Sequence, residues 1–442
     1  MHSRDYLTGS NAFVFGLMCV FFGFFFLDLS PKLHAIDPLV ELKASSDRLR
    51  SFGELRRPLT ENERAFALKA WSYLEANTRE TGFVDSVENY PSSTLWDQGS
   101  YLLGVISARK LDLIDQELLK ERGSKFVASL SQLTLVEDRF PNKVYNTQTL
   151  EMVDYSNTPV QGGVGWSVLD LGRLLSGLSA LSVAVPELRP AIHDVVLSWD
   201  LSFLGQDGEL IGAYRDDDEG VIEVQEGRLG YEQYAARAVA LWGVDSFRAQ
   251  GTWDRTQIVN AQGVQVPADM RDPARFDAID PVTSEPFFLH GLEFGLTGSI
   301  GGLTYHVYDL QKQRSHEVSR LVFVSEDHLD RAPYFAYNSI YGNERFWTVM
   351  DEEGHEHPDA ETQSMKAVFA WFALFQDDYA TAALEALAPQ LQTDRGWFAG
   401  LYSASNTPNT ALTLNTNAII LQSLAYITHG PIHQWDAPER SP

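Results

Sequence analysis

From Thr60 onward, apolar residues recur at the three-and-four spacing of helices that bury one face, and the two-residue alternation of strands is scarce. Thr60-x-x-Glu63 has the form of a capping box, in which a hydroxyl and a carboxyl satisfy orphan amides reciprocally, and it predicts a helix to about Asn77. Eleven further helices are predicted at about 94–111, 115–132, 166–184, 187–204, 228–243, 285–297, 313–328, 331–341, 360–376, 379–392 and 411–428. Between successive pairs the chain turns at a Gly or Asp near an aromatic, as in Gly82-Phe83, Gly212-Ala213-Tyr214 and Gly396-Trp397, at intervals too irregular for a solenoid. Twelve helices and six loops predict an all-α fold, an (α/α)6 toroid of six helical hairpins with short β turns or strands at one rim. Inner helices of such a ring are apolar nearly all round and outer ones amphipathic. Leu95 to Leu111, Trp166 to Val185 and Leu412 to Tyr426 have the inner composition. The toroid is expected over 58–432, followed by a tail over 433–442.

Ahead of it, Ala12 to Leu27 is an uncharged run, AFVFGLMCVFFGFFFL. As a helix it spans about 24 Å, short of the ~30 Å hydrocarbon core, and Leu29 and flanking side chains extend it. Leu33-His34-Ala35 is a poor cleavage site, and Leu17-Met18 lacks the small residue a lipobox needs before Cys19. The run therefore reads as an uncleaved anchor rather than a signal peptide: 1–11 cytoplasmic, 12–29 spanning, 30–57 a polar linker. This predicts a single-pass inner-membrane protein whose body is periplasmic or extracellular.

Composition narrows the partners. With 44% apolar and 12% aromatic residues the chain can bury a substantial core, and its one cysteine, Cys19, leaves the body neither disulfide nor thiol nucleophile. A net charge of −26, from 60 acidic and 34 basic residues, repels nucleic acid and anionic polymers and favours a neutral partner. The segment Glu137 to Leu175 gathers Tyr145, Asn146, Asp154, Tyr155, Asn157 and Trp166 between two helical stretches. Aromatic faces stack on the C–H surfaces of pyranose rings while amides and carboxylates read hydroxyls, so this is the composition of a sugar-binding loop.

The stretches FVDSVENYPSSTLWDQGSYL, FPNKVYNTQTLEMVDY, GWSVLDLGRLL, EGRLGYEQYAARA, SEPFFLHGLEFG, GWFAGLY and LTLNTNAIIL resemble the bacterial domain of unknown function 3131, over about Thr60 to Gly430. More remotely, the order of features is similar to glucoamylase-like and β-1,2-glucanase proteins: a helix start at Ser93 to Leu102, a loop at Lys143 to Asp154, an acidic helix start at Trp166 to Leu174 and an Arg-containing helix at Glu226 to Ala236. That resemblance implies a six-hairpin toroid with a glycan cleft.

Glycoside hydrolysis needs a protonated carboxyl for the leaving oxygen and a carboxylate for water or carbon, about 5–9.5 Å apart. Glu293 stands alone among Phe287, Phe288, Leu289, Leu292, Phe294 and Leu296, a setting that raises a carboxyl pKa, so it is the first candidate acid; a buried ion pair with an Arg such as Arg228 or Arg237 is the alternative. Glu285, before Pro286 at a helix start, and Glu232 are the other candidate acids, with Asp154 or Asp170 positioning or activating water. Asp97 and Asp170 also fit capping boxes opened by Thr94 and Ser167, and Glu226, Arg228 and Glu232 fit an ion-pair network at a helix start. Candidate substrate contacts are Asp85, Trp96, Asp97, Tyr145, Asn146, Tyr155, Trp166, Glu226, Arg228, Tyr231, Trp397, Tyr402, Asn415 and Asn417. Asp351 to Glu361, DEEGHEHPDAE, matches no tetrahedral zinc spacing and reads as a solvated acidic loop, and Arg215 to Gly220 does not match the calcium-loop template, so no metal and no cofactor is expected.

The expectation is an envelope-associated protein of the glycoside hydrolase kind, an endo-glucanase-like enzyme acting on a neutral polysaccharide, a β-glucan first, or on its oligosaccharides. The alternative is a non-catalytic glycan-binding or scaffold subunit of an exopolysaccharide synthesis or export machinery.

Overall fold

A computed structural model describes residues 56–216, 218–261, 264–276 and 278–435. The apolar run at 12–29 and most of the linker and tail lie outside the described residues. Among the described residues there are thirteen α-helices and sixteen short strands, and no single helix is long and apolar enough to cross a membrane.

The first helix, α1 (Glu61–Asn77), starts as the capping box predicts: Glu63 N–H donates to Thr60 Oγ1 at 3.2 Å and Thr60 N–H to Glu63 Oε2 at 2.7 Å. There follow α2 (Leu95–Lys110), α3 (Gln116–Leu130), α4 (Val168–Ala184), α5 (Arg189–Leu197), α6 (Tyr231–Ala240), α7 (Phe247–Gln250), α8 (Pro273–Phe276), α9 (Glu285–Phe294), α10 (Gly298–Val318), α11 (Met365–Phe375), α12 (Asp378–Leu391) and α13 (Leu414–His429). Helices α2, α4, α6, α9, α11 and α13 pack each on the next, and α13 returns to α2, closing a ring of six. Their composition explains the place: α9 and α11 are buried at every position and α13 at all but its last two. Outside stand α1, α3, α5, α10 and α12. The fourth outer position holds only the single turn α7, with the hairpin β8 (Thr256–Ala261) and β9 (Val264–Asp269) beside it. The α2–α4 contact is so close that a Cβ on Gly99 would lie 2.6 Å from the Arg173 carbonyl, a space only glycine leaves open.

Three predicted helices are corrected. The stretch 187–204 breaks after Leu197 and resumes as a 3-10 turn at Leu201–Leu204. In place of a helix at 313–328, α10 begins fifteen residues earlier and stops at Ser319, whose φ of +52° is left-handed. The glycines at 298, 301 and 302 masked its start. In place of a helix at 331–341, β10 (Glu326–His328), β11 (Phe335–Gly342) and β12 (Arg345–Met350) form an antiparallel sheet; aromatic and β-branched residues outweigh the weak helical spacing there.

The six inner helices run the same way, so their N-termini meet at one rim, where the linking loops form six small antiparallel sheets. At the other end a 3-10 turn, Ile432–Gln434, plugs the ring: Gln434 Nε2 donates to the Phe294 carbonyl at 2.9 Å, and the His433 ring stacks on Phe294 at 4.9 Å.

A polar network threads the apolar ring. Arg173 of α4 donates from Nη1 to Glu293 Oε1 of α9 at 2.7 Å and to Tyr234 of α6 at 2.8 Å, and from Nε to Ser100 Oγ of α2 at 2.7 Å. Ser100 passes a hydrogen bond to Asn415 Oδ1 of α13 at 2.7 Å, Asn415 Nδ2 donates to Glu285 Oε1 at 2.7 Å, and Glu285 Oε2 is ion-paired with Lys366 of α11. Every inner helix contributes. Because each of these buried groups depends on a neighbour's partner, the network specifies which helices adjoin.

Candidate active site

The converging helix starts bring charged and aromatic side chains together at the rim. Asp170 opens α4, where Ser167 Oγ accepts its N–H at 3.1 Å. The α4 cap is completed by Glu226, from the loop after β7 (Gly220–Gln225), whose Oε2 accepts the Val168 N–H at 2.7 Å. The Asp170 side chain, hydrogen-bonded to Ser167, is half-buried. Burial and the nearby Glu226 carboxylate, opposed by Lys143, raise its pKa to about 8, so it is protonated at neutral pH. Glu226 is also raised by burial, against Lys143 and the α4 amides.

Tyr155 and Tyr337 border the same space. Tyr155 is 55% exposed. Even so, the protein around its hydroxyl, with the charges of Asp170, Glu352 and Glu226, pushes that hydroxyl well above its usual pKa. Tyr337, half-buried on β11, responds to Glu352, Glu326, Asp170 and Glu226 in the same way. These partly exposed groups are close enough to feel one another's charges and so share one region of the rim. Glu352, exposed on the turn after β12, is raised by burial and by Glu353 and feels Lys143, so it stands at the edge of the same region.

Deeper toward the ring axis lies a second constellation. Glu285 accepts from Trp96 Nε1 at 2.8 Å and from Asn415; burial opposes its charge, but Lys366 and Arg173 outweigh that and hold it ionised. Asp327 accepts from Ser364 at 3.1 Å and Thr362 at 3.2 Å and lies 3.7 Å from Lys366; burial, only partly countered by Lys366, raises it to about 7. Glu326, receiving Thr283 Oγ1 at 2.7 Å, is raised by burial and then by the charge of Glu285. One cation thus balances one anion beside two acids that favour the neutral form. Tyr231, tilted against Trp96 at 5.9 Å, and half-buried His328 complete this floor.

This arrangement fixes a pH dependence. The raised folded pKa of Asp327 means that the folded state keeps a proton the unfolded chain releases near 3.8, so its contribution to stability is full below that value and is lost as pH rises to about 7. Asp327→Asn has no proton to lose. Its melting temperature relative to the parent is expected to climb between pH 4 and 7 and then level off, by at most about 4 kcal/mol in free energy; calorimetry across that range checks it.

The sequence-predicted residues divide sharply. Asp170, Glu226, Tyr155, Trp96 and Tyr231 come together at the rim with Glu285 and Asn415 below them. Glu293 lies fully buried on the ring axis, held by Arg173, Tyr234 at 2.9 Å and Ser176 at 2.7 Å. Its partner is Arg173 rather than Arg228 or Arg237. Glu232 is likewise sealed, in ion pairs with Arg271 at 2.8 Å and Arg255 at 3.7 Å, and Arg228 beside it is turned to Gln225 Oε1 at 2.9 Å. Asp154 caps its own turn, accepting from Ser156 and Thr158 N–H at 2.8 and 2.9 Å. Asp97 answers Thr94 in α2's first turn, and Asp85 ties Arg79 to Thr147.

Several expected sugar contacts are core. Tyr145 and Trp166 are fully buried, the first donating to the Thr134 carbonyl at 2.6 Å and the second packed 5.1 Å from Phe140. Trp397 packs on Phe66 and Phe369 with Asn417 holding its backbone, and Tyr402 donates to Asp330 at 2.8 Å beneath Arg331. Asn146 binds Asn157 at 3.1 Å and caps the turn at 148–149. In the loops, aromatic content reports packing between loops as readily as ligand contact. Missed altogether were Lys143, Glu326, Asp327, His328, Tyr337, Glu352 and Lys366. The weak helical spacing places Glu326 to His328 in a helix; read as a strand after the apolar run LVFV, the same acids stand out.

With this geometry in hand, comparison with known proteins is direct. The family profile described as protein of unknown function DUF3131 matches residues 65–430. The chain belongs to this family. No curated protein matches this DUF3131 chain in sequence. Among solved structures it is similar to an endo-β-1,2-glucanase from Chitinophaga pinensis in complex with sophorotriose and glucose, with a TM-score of 0.62 at 10% identity over 86% of this chain and 95% of that one. A candidate glucoamylase from Bacteroides fragilis aligns with a TM-score of 0.59 at 12% identity over 87% and 95%. An endo-β-1,2-glucanase from Talaromyces funiculosus, in complex with sophorose, aligns with a TM-score of 0.55 at 10% identity over 85% of each. At these identities the likeness is one of fold: the DUF3131 chain shares their mainly helical toroid.

Proposed function

We propose that this DUF3131 protein is a glycoside hydrolase acting on a neutral glucan, with β-1,2-linked chains the first candidates, and that Asp170 is its proton donor. What supports the reading is a half-buried carboxyl at the rim, pushed up to about 8 by burial and by the Glu226 charge, within reach of the charges on two partly exposed tyrosines and further carboxylates. A general acid needs just this combination of proton and access. Asp170 gives its proton to the leaving glycosidic oxygen; Glu226, held beside it by the α4 amides, keeps that proton in place; Glu352 on the lip takes a proton from the attacking water. Tyr155 and Tyr337 offer ring faces to the sugar. Support for glucan chemistry comes from the neighbours of like fold that carry glucose oligosaccharides, and the charge of −26 favours a neutral polymer. We further propose that the 12–29 segment anchors the protein in the inner membrane with the cleft outside the cytoplasm.

The test incubates the full-length chain in mild detergent with linear and cyclic β-1,2-glucan and with β-1,3- and α-1,4-glucans, and follows product size. Shorter oligosaccharides with new reducing ends are expected from a β-1,2-glucan. Retention of glycan with no new ends would overturn hydrolysis in favour of a non-catalytic glycan-binding subunit.

A further inference from the structure

Lys143 stands between the starts of two inner helices. Its carbonyl accepts the N–H of Leu95, the first residue of α2, at 3.2 Å, and its own N–H donates to the carbonyl of Gly165, just ahead of α4, at 3.0 Å. The segment at Gly165 is pinned from its other side, where Ala213 N–H donates to the Trp166 carbonyl at 2.8 Å and Arg215 N–H to the Val164 carbonyl at 3.0 Å. The two chains approach so closely that a Cβ on Gly165 would collide with the Ala213 carbonyl. Lys143 thus has a fixed seat at the rim. We infer that it is a substrate-binding residue, its ammonium donating hydrogen bonds to hydroxyl oxygens of the sugar unit at the bond that is cleaved. Lys143 would thereby hold the sugar that the glycoside hydrolase reading, on which this role rests, places beside Asp170.

What separates this lysine from the other cations of the ring is an uncommitted ammonium. Lys143 is half-buried, yet among the described residues its side chain makes no hydrogen bond and no ion pair. The buried cations Arg173, Arg255, Arg271 and Lys366 each touch a carboxylate. Three carboxyl groups, Asp170, Glu226 and Glu352, feel the Lys143 charge without touching it. Two of them are held elsewhere: Glu226 Oε2 accepts the Val168 N–H at 2.7 Å, and Asp170 is hydrogen-bonded to Ser167. The ammonium is therefore balanced at a distance and keeps its three donors for another partner. A donor with no acceptor capacity is complemented by oxygen lone pairs, which sugar hydroxyls supply without adding charge, and a partly desolvated cation gains by finding them. Tyr155 and Tyr337 respond to the same three carboxyls. The ammonium and the two rings proposed to stack on sugar therefore share one part of the rim, and aromatic faces beside a few placed polar groups are what a sugar site requires.

The same charge gives Lys143 a second effect on the reaction. Asp170 is acted on by Glu226 from the loop after β7, by Asp97 in the first turn of α2 and by Lys143, with Tyr155 and Tyr337 neutral beside it. Glu226 and Asp97 hold the Asp170 proton on, and Lys143 loosens it. In the sequence a single lysine in a loop reads as solvated surface, because the partners that leave its ammonium uncommitted lie far along the chain.

The test uses the full-length chain in mild detergent, with linear β-1,2-glucan oligosaccharides as the probe. Lys143→Met is expected to raise KM about ten- to a hundredfold, the range for a hydrogen bond to a charged donor. It should also move the alkaline limb of the pH profile above about 8, because Asp170 no longer feels a cation. Lys143→Gln, neutral but still polar, is expected to shift both in the same direction, and it carries the comparison if melting shows that Lys143→Met disturbs the fold. Lys143→Arg keeps the charge, so it should leave the limb in place and raise KM less. A parent that cleaves the glucan while both neutral variants keep its KM would overturn the role of Lys143 and leave the hydrolase standing. A raised KM with an unmoved limb would mark a structural effect and overturn it as well. A parent that neither binds nor cleaves any glucan would overturn the hydrolase reading and this role with it.

Discussion

Replacing Asp170 by asparagine is expected to lower glucan turnover by about a hundred- to ten-thousandfold, the range that a positioned general acid supplies, with the ring intact. Two further readouts separate lost chemistry from lost structure. First, the parent enzyme should hold its rate up to about pH 8 and lose it above, as Asp170 gives up its proton; the residual activity of Asp170→Asn should lack that limb. Second, the raised carboxyl means that the parent loses stability as pH climbs from near 3.8 to about 8, so the asparagine variant should be the more heat-stable of the two at pH 8 and above. Glu226→Gln removes the neighbouring negative charge and should draw the alkaline limb to lower pH. A variant at Asp170 with full activity, or a parent profile flat through pH 9, would remove it as the donor.

The assignment of Asp170 over Glu293 shows what a sequence discloses about such a protein. Pattern was enough for most of the ring, because inner helices buried on nearly every side must be apolar on nearly every side; α2, α4 and α13 read correctly for that reason. It failed where composition and geometry part company. A single turn at the fourth outer position leaves little periodicity to read, and the glycines that open α10 lower helical propensity while giving its first turn room against the Leu296 backbone. The site was legible as a region and not as a set of roles. Ser167-x-x-Asp170 reads as a capping box, and Ser167 does accept the Asp170 N–H, but the carboxylate that accepts the Val168 N–H is Glu226, fifty-six residues later in the chain. Likewise a carboxylate among phenylalanines reads the same in one dimension whether it faces a cavity or an arginine. Long-range partners decide between the two, and a local pattern cannot contain them.

Arg173→Met should be the most destabilising single change in the protein, by about 3–5 kcal/mol, because it leaves the Glu293 charge buried with no cation beside it. The same substitution strips Tyr234 and Ser100 of a partner, so the contacts that order α2, α4, α6 and α9 loosen together. Glu293→Gln keeps the shape and one acceptor but leaves the guanidinium uncompensated, and a loss of the same order is expected. The double change Arg173→Met with Glu293→Leu removes both charges and fills similar volume; it should recover much of what either single change loses, as buried ion pairs replaced by apolar residues often do. Urea unfolding of the parent, Arg173→Met, Glu293→Leu and the double variant, followed by tryptophan fluorescence, closes the cycle and measures the coupling directly. A double variant no better than the singles would mean that the hydrogen bonds to Tyr234 and Ser176, and not the paired charges, hold the ring closed. If Glu293→Gln instead unfolds with the parent and loses turnover, the acid lies on the ring axis after all, and the cleft at Asp170 is not where the bond breaks.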